Sequence, residues 1–219
     1  MTLQTPADIR AARLANPDLR ERDLADRLQI SEAQLLAAHI GAATGQRVTR
    51  ISADCDRIIP AVMALGEVMA LTRNESCVIE KTGVYDGFRP GPHAALVVNR
   101  EIDLRLFPAR WVHAFAVEKP VAGGVRRSVQ VFDAAGDAVH KIFLRDGSRL
   151  EEWPALVAAL AHEDQGDAQP VSPRQPTEPA RADAGKAQQL RAEWDQLTDT
   201  HQFLQMVRKL RMNRLGAYR

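Results

Sequence analysis

The feature that most limits what this chain can become is its middle. From Val48 to about Arg149 the apolar residues recur with period two, in the runs VMALTRN, SCVIEK, HAALVVN, EIDLRLF, WVHAFAVEK, RSVQVFD and AVHKIFLRD. Alternation of that kind is the mark of strands with one buried face, and Gly, Pro, Asn and Asp punctuate most of the joins. DAAGD, between RSVQVF and AVHKIFL, reads as a hairpin loop. Strands joined by short turns pair antiparallel, so the expectation is one antiparallel sheet over residues 48 to 149. Helices before and after it must cover a face. Thr5-Pro6 opens a first helix, which Asn16-Pro17 breaks. A second runs about Leu19 to Leu28, and Ser31-Glu32-Ala33 starts a third that ends before Gly41. DCDRIIPAVMALG reads as a short helix kinked or interrupted at Pro60, and RLEEWPALVAALAHE as an amphipathic helix over one face. The fold class is therefore α+β, a large antiparallel meander flanked by helices 6 to 41 and 150 to 163.

Then the composition shifts. DQGDAQPVSPRQPTEPARADAG carries Pro170, Pro173, Pro176 and Pro179. Proline at every third place suits an extended polyproline II spacer and gives no core to build. The expected organisation is a domain at 1–163, a proline-rich linker at 164–186, extended, poorly ordered or mobile over 164–182, and a helical segment at 187–219.

With 219 residues, 45% of them apolar, and a formal net charge of +1, there is material for a core but no global case for nucleic acid or membrane. The N-terminus has no apolar stretch of the secretory kind, and no run approaches the roughly 20 apolar residues of a membrane span. The cytoplasm is the expected compartment, with no membrane insertion and no nucleic-acid partner. Cys55 and Cys77 form no CxxC pair and read as free thiols. One rival comes from residues 18–40, which resemble a helix-turn-helix. A DNA-binding regulator would use EAQLLAAHIG as its recognition helix, yet that stretch almost lacks positive charge for bases and phosphates. A helical packing unit is the reading preferred.

Two places hold residues with chemistry to offer. In EIDLRLFPARW, strand alternation puts Ile102, Leu104 and Leu106 on the core side and Asp103, Arg105 and Phe107 on the other. The plain alternative for Arg105 is an exposed pair with Asp103. Near the end, Leu190, Trp194, Leu197, His201 and Leu204 are spaced 4, 3, 4 and 3, one stripe of a helix with a histidine set into it. Asp199 could instead cap a new helix with Gln202 as its capping-box partner. A histidine on such a stripe can be a core residue bonded to a carbonyl. From His201 onward, however, Arg208, Lys209, Arg211, Arg214 and Arg219 face no acidic residue in the sequence. An apolar helix with a neutral imidazole and following guanidinium groups suits a flat apolar ligand with a metal centre and carboxylate tails. There is no phosphate loop, HExxH or GxSxG, and the other histidines (His39, His93, His113, His140, His162) lack metal-ligand spacing.

"LGEVMALTRNESCVIEKTGVY", "EIDLRLFPARWVHAFAVEK", "SVQVFDAAGDAVHKIF" and "LTDTHQF…MNRLGAYR", in this order and at these separations, resemble the bacterial haem-utilisation or haemin-degrading factors of the HemS/ChuX type. The resemblance runs from about residue 6 to 219. It implies two tandem repeats in full-length members, each a large antiparallel sheet flanked by helices. It also implies that His201 of "DTHxF" is the axial iron ligand and that Arg105 of "DLRLF" faces the haem (iron protoporphyrin IX) from the other side. Phe107 becomes an aromatic neighbour, and Arg214 a propionate contact. "DLRLF" does not recur here, so the expectation is a first repeat plus the opening helices of a second. The second-repeat Lys, Arg, Tyr and Gln positions that complete the family's pocket are absent, and haem binding weaker than in a two-repeat protein follows. The function implied is haem binding and trafficking in bacterial iron acquisition, with haem degradation as the enzymatic rival. Partners would be haem, a haem importer or a haem oxygenase, and a second copy of the chain through the apolar arm.

Overall fold

The computed structural model describes residues 4–74, 76–199 and 202–218. They form two compact units, one up to Arg174 and one from Gln175 onward.

The first unit opens with α1 (Pro6–Ala15), α2 (Glu21–Leu28) and α3 (Glu32–Ala37). Thr5 and Asp8 form a reciprocal capping box on α1, and Ser31 and Gln34 form another on α3. Strand β1 (Arg47–Ile51) is followed by α4 (Cys55–Ala64), which carries Pro60 inside it, and then by β2 (Gly66–Arg73) and β3 (Val78–Val84). Next come β4 (Phe88–Arg89), β5 (Ala95–Val98), β6 (Asp103–Leu106), β7 (His113–Val121), β8 (Gly124–Phe132) and β9 (Ala138–Ser148), then α5 (Trp153–Leu160).

Every strand pairing is antiparallel, as the alternation requires. The expected single sheet is corrected to two. One has six strands in the order β1-β7-β8-β9-β2-β3, and the other has three in the order β4-β5-β6. Period two reports that a strand buries one face, not which sheet it joins. The small sheet lies over the large one. Its inward Ala95, Val97, Leu106 and partly buried Leu104 share a core with Val68, Ala70, Ile142 and Leu144, closed by residues of α4 and α5.

The other face of the large sheet takes α3. Ala33, Leu36, Ala37 and Ile40 pack on Val48, Phe115, Val117 and Phe132. This disposes of the helix-turn-helix alternative: the helix that would read DNA is α3, and Glu32, Ala33, Leu35, Leu36 and Ala37 are all buried in the protein. Glu32 is held there by Arg73 and by the Lys141 ammonium at 2.6 Å.

Residues 163–183 carry no helix or strand. Within the span expected to be extended, poorly ordered or mobile, residues 164–174 are bonded to the rest of the first unit. The buried Arg50 guanidinium donates to the carbonyls of Asp164, Gly166 and Ala168 at 3.1, 2.8 and 3.1 Å, and to the side chain of Gln169. Ser172 donates its N–H to the Ala134 carbonyl at 2.7 Å, and Arg174 makes two 2.7 Å bonds to Asp137. A segment poor in apolar side chains is fastened here largely through its carbonyls, which composition does not reveal.

The second unit contains α6 (Ala187–Trp194), α7 (Gln202–Lys209) and α8 (Arg214–Ala217). The single long stripe is corrected too. The chain turns at 195–199, where the Gln202 side chain accepts the Thr198 N–H at 3.0 Å and the Asp199 N–H at 3.4 Å. The helix restarts in a new phase. Leu190, Trp194 and Leu197 still face inward with Phe203, Met206, Val207 and Leu210, while Leu204 is turned out and 42% exposed. Trp194, Phe203 and Tyr218 form an aromatic cluster with ring centres 4.9–5.6 Å apart.

Candidate functional site

The "DLRLF" strand is β6, at one edge of the small sheet. Its alternation is as read: Ile102 and Leu106 are buried, Leu104 is partly buried on the core, and Asp103, Arg105 and Phe107 face outward. Pairing partners in a sheet share a face, so the register extends this surface. Arg105 pairs with Leu96, and Leu96 with Arg89, giving a row of Arg, Leu and Arg across three strands. Asp103 pairs with the exposed Val98. Phe107 stands at the end of the strand, 50% exposed, held by a short 3-10 turn in which its carbonyl accepts the Arg110 N–H at 2.8 Å.

Among the described residues Arg105 makes no ion pair, so the plain alternative, a pair with Asp103, is not formed. An unpaired guanidinium between an apolar side chain and an aromatic ring suits a flat apolar partner with a polar or charged centre.

The platform is rigid for identifiable reasons. Asn99 closes the β5–β6 turn, accepting the N–H groups of Glu101 and Ile102 and donating to the Val84 carbonyl at 2.9 Å. Gly87 has φ +67°, and a Cβ there would lie 2.9 Å from the Val98 carbonyl oxygen. Beneath the platform, Tyr85 and His140 are buried. The Tyr85 hydroxyl lies 2.5 Å from His140 Nε2, and Thr72 Oγ1 lies 2.9 Å from Nδ1. A Tyr85 O–H donating to Nε2, with Nδ1–H donating to Thr72, satisfies all three groups. Burial holds the His140 imidazole down at about 4, so it is neutral, and Trp111 stacks on it with ring centres 6.2 Å apart. His140 is thus a satisfied core group. Cys55 is buried, its thiol pushed up to about 12 by that burial, and Cys77 is exposed.

Of the four residues singled out by the resemblance, the structure brings Arg105 and Phe107 together on one face. His201 lies outside the described residues. Arg214 is exposed at the first position of α8 and lines a cavity of about 340 Å³ in the second unit with Leu204, Met212 and Leu215. Asn213 caps α8 from its side chain, and a Cβ on Gly216 would lie 2.0 Å from the Arg181 carbonyl oxygen. The end of the chain is therefore tightly fitted to residues 179–182. Sequence reading missed Arg89, Leu96 and Val98. The two-residue strand β4 shows no periodicity, and only the register puts Arg89 beside Arg105. Among the described residues no group of His, Cys, Asp and Glu is placed to hold a metal ion by itself. No described helix is long and apolar enough to cross a membrane.

The α+β architecture of the first unit is shared with known proteins. The family described as "Haemin-degrading HemS.ChuX domain" matches residues 29–160, more than half of the chain. The hemin transport protein HemS of Yersinia enterocolitica is 36% identical over 211 residues, and HmuS of Yersinia pestis 35%. Among solved structures, holo-PhuS, a heme-binding protein from Pseudomonas aeruginosa, is 38% identical with a TM-score of 0.83, covering 97% of this chain and 62% of that one. ChuS, an E. coli heme oxygenase, is 29% identical with a TM-score of 0.76, covering 96% of this chain and 61% of that one. The chain belongs to the haemin-degrading HemS/ChuX family. It covers 95% of its own length in the match to HemS but only 59% of that relative.

Proposed function

We propose that this chain binds haem as part of bacterial haem uptake and iron acquisition in the cytoplasm. In this reading Arg105 and Phe107 form one wall of the site, His201 supplies the axial ligand to iron, and Arg214 takes a propionate. The observation that carries it is the outward, unpaired Arg105 beside half-exposed Phe107, in a chain of this family. The residues fit the group. A porphyrin offers a flat apolar face to Phe107 and Leu96. The Arg105 guanidinium keeps its proton at any physiological pH and can hold a water or other small oxygen species by hydrogen bonding. A neutral imidazole is a good iron ligand. Residues 187–219 read as the opening helices of a second repeat. A haem importer on the supply side and a haem oxygenase on the receiving side are the partners this role requires. Association of two chains through the second unit would use Leu204, Leu215 and Tyr218, its exposed large apolar residues.

A second reading, haem degradation, is favoured by the likeness to ChuS, which is called a heme oxygenase. Bound haem and dioxygen would supply that chemistry, while the protein supplies orientation and polarity. Titration of haemin into the chain and its Arg105→Ala variant tests the first reading. We expect weaker binding and an altered absorption spectrum in the variant; identical curves would remove Arg105 from the site. Haem-loaded chain with ascorbate tests the second. A ring-opened, biliverdin-like product supports degradation, and unchanged haem supports carriage.

A further inference from the structure

A second cleft lies on the far side of the large sheet from the Arg105 platform. There α3 covers the β7–β8 half of the sheet. The other half is left with Met69 and Leu71 of β2 and Phe143 of β9, Met69 and Phe143 being paired in register. The first turn of α2 forms the facing wall, and the cleft between them has a volume of about 460 Å³. That is the size of a small-ligand site.

The charges around it are unequal. Seven basic and four acidic side chains line the cleft. Two of the carboxylates are already engaged: Glu32 holds Arg73 and Lys141, and Glu21 holds Lys119 at 2.5 Å. Arg126 and Arg145 have no carboxylate within 4.0 Å among the described residues. Ser128 and Phe143 are paired, and Arg126 lies two residues before Ser128 on β8 while Arg145 lies two residues after Phe143 on β9, on the same face. Each lies instead on the apolar floor, Arg126 with its guanidinium 5.9 Å from the centre of the Phe143 ring and Arg145 directed at the Met69 thioether. Two like charges set together on one sheet face repel each other, and an anion between them relieves that cost. No His, Cys or Tyr lines the cleft, and what it offers a ligand is an apolar floor rimmed by charge.

We propose that this cleft binds an amphipathic carboxylate, its apolar body on Met69, Leu71 and Phe143 and its anionic end between Arg126 and Arg145. Two sources share that chemistry, an acyl-chain acid and a metal-free tetrapyrrole carrying carboxylates. The site is separate from the Arg105 face and does not depend on the haem reading.

Calorimetric titration of the full chain with dodecanoate, and separately with protoporphyrin IX, tests it. At least one probe should bind one to one. Its affinity should fall about tenfold or more in Arg126→Ser/Arg145→Ser, because each charged hydrogen bond is worth about one decade or more, and dodecanoate, which has no porphyrin face to offer the Arg105 platform, should bind Arg105→Ala as it binds the parent. Binding by dodecanoate alone identifies the acyl source, and by the porphyrin alone the tetrapyrrole. Both arginines are exposed, so the double variant should keep the parent's thermal midpoint. The proposal is overturned if neither probe binds, or if binding is undiminished in the double variant. It is equally overturned if binding is lost only in Arg105→Ala.

Discussion

At the scale of single residues, some buried polar atoms lack a hydrogen-bond partner, among them His39 Nε2 and Trp153 Nε1, and other buried polar groups are fully satisfied. His140 is the clearest case, bonded to Tyr85 and Thr72 and held neutral with its titration near 4. Its unfolded-state value is near 6.5, so between pH 6.5 and 4 the unfolded chain binds more protons than the folded one. The stability His140 permits is therefore complete above about pH 6.5 and is lost as pH falls toward 4, by on the order of 3 kcal/mol. His39, also buried and held at about 4, works in the same direction. Denaturant unfolding at pH 7 and pH 4.5 should show this loss, and His140→Gln, which keeps a neutral hydrogen-bonding side chain, should show a smaller one. An equal loss in the variant would mean that His140 does not titrate on unfolding. Arg105 belongs to the opposite type, an outward charge with no ion pair among the described residues; strand alternation placed it on the outer face, and the family resemblance singled it out. Arg50 was not found, because a buried arginine bonded to backbone carbonyls leaves no pattern in its neighbours.

Whole elements show where local patterns stop. Arg50 ties residues 164–169 to β1, and Arg50→Met should release them. Hydrogen exchange across 164–172 should then quicken, and stability should drop by about 2 kcal/mol or more through the orphaned carbonyls. Unchanged exchange would show that other contacts hold the segment. In the second unit, Gly216→Ala puts a methyl group into the Arg181 carbonyl. The expected cost is about 1–3 kcal/mol, read as altered Trp194 fluorescence, since Trp194 packs on the neighbouring Tyr218. The strands β2, β3 and β5 to β9, the capped helices and the hairpin at DAAGD were legible, because each depends on residues within a few positions of one another, whereas β1 and β4 were not among the runs read. The division into two sheets, the docking of a proline-rich segment and the row Arg89–Leu96–Arg105 were not. Each is set by pairing between distant residues, which periodicity does not encode.

For the molecule as a whole, the candidate site spans groups that sequence and structure supply unequally. Arg105 and Phe107 stand on the small outer sheet, while His201, outside the described residues, is proposed from its motif. The account holds that these residues serve one ligand, haem, and that His201 binds its iron. The most direct measurement is haemin titration of this chain and its His201→Ala variant, followed in the Soret band, with circular dichroism confirming that the variant is folded. The account predicts a saturable band in the parent that is shifted and much weakened in the variant. The same Soret spectrum in both at every haemin concentration would contradict it and leave His201 an ordinary packing residue.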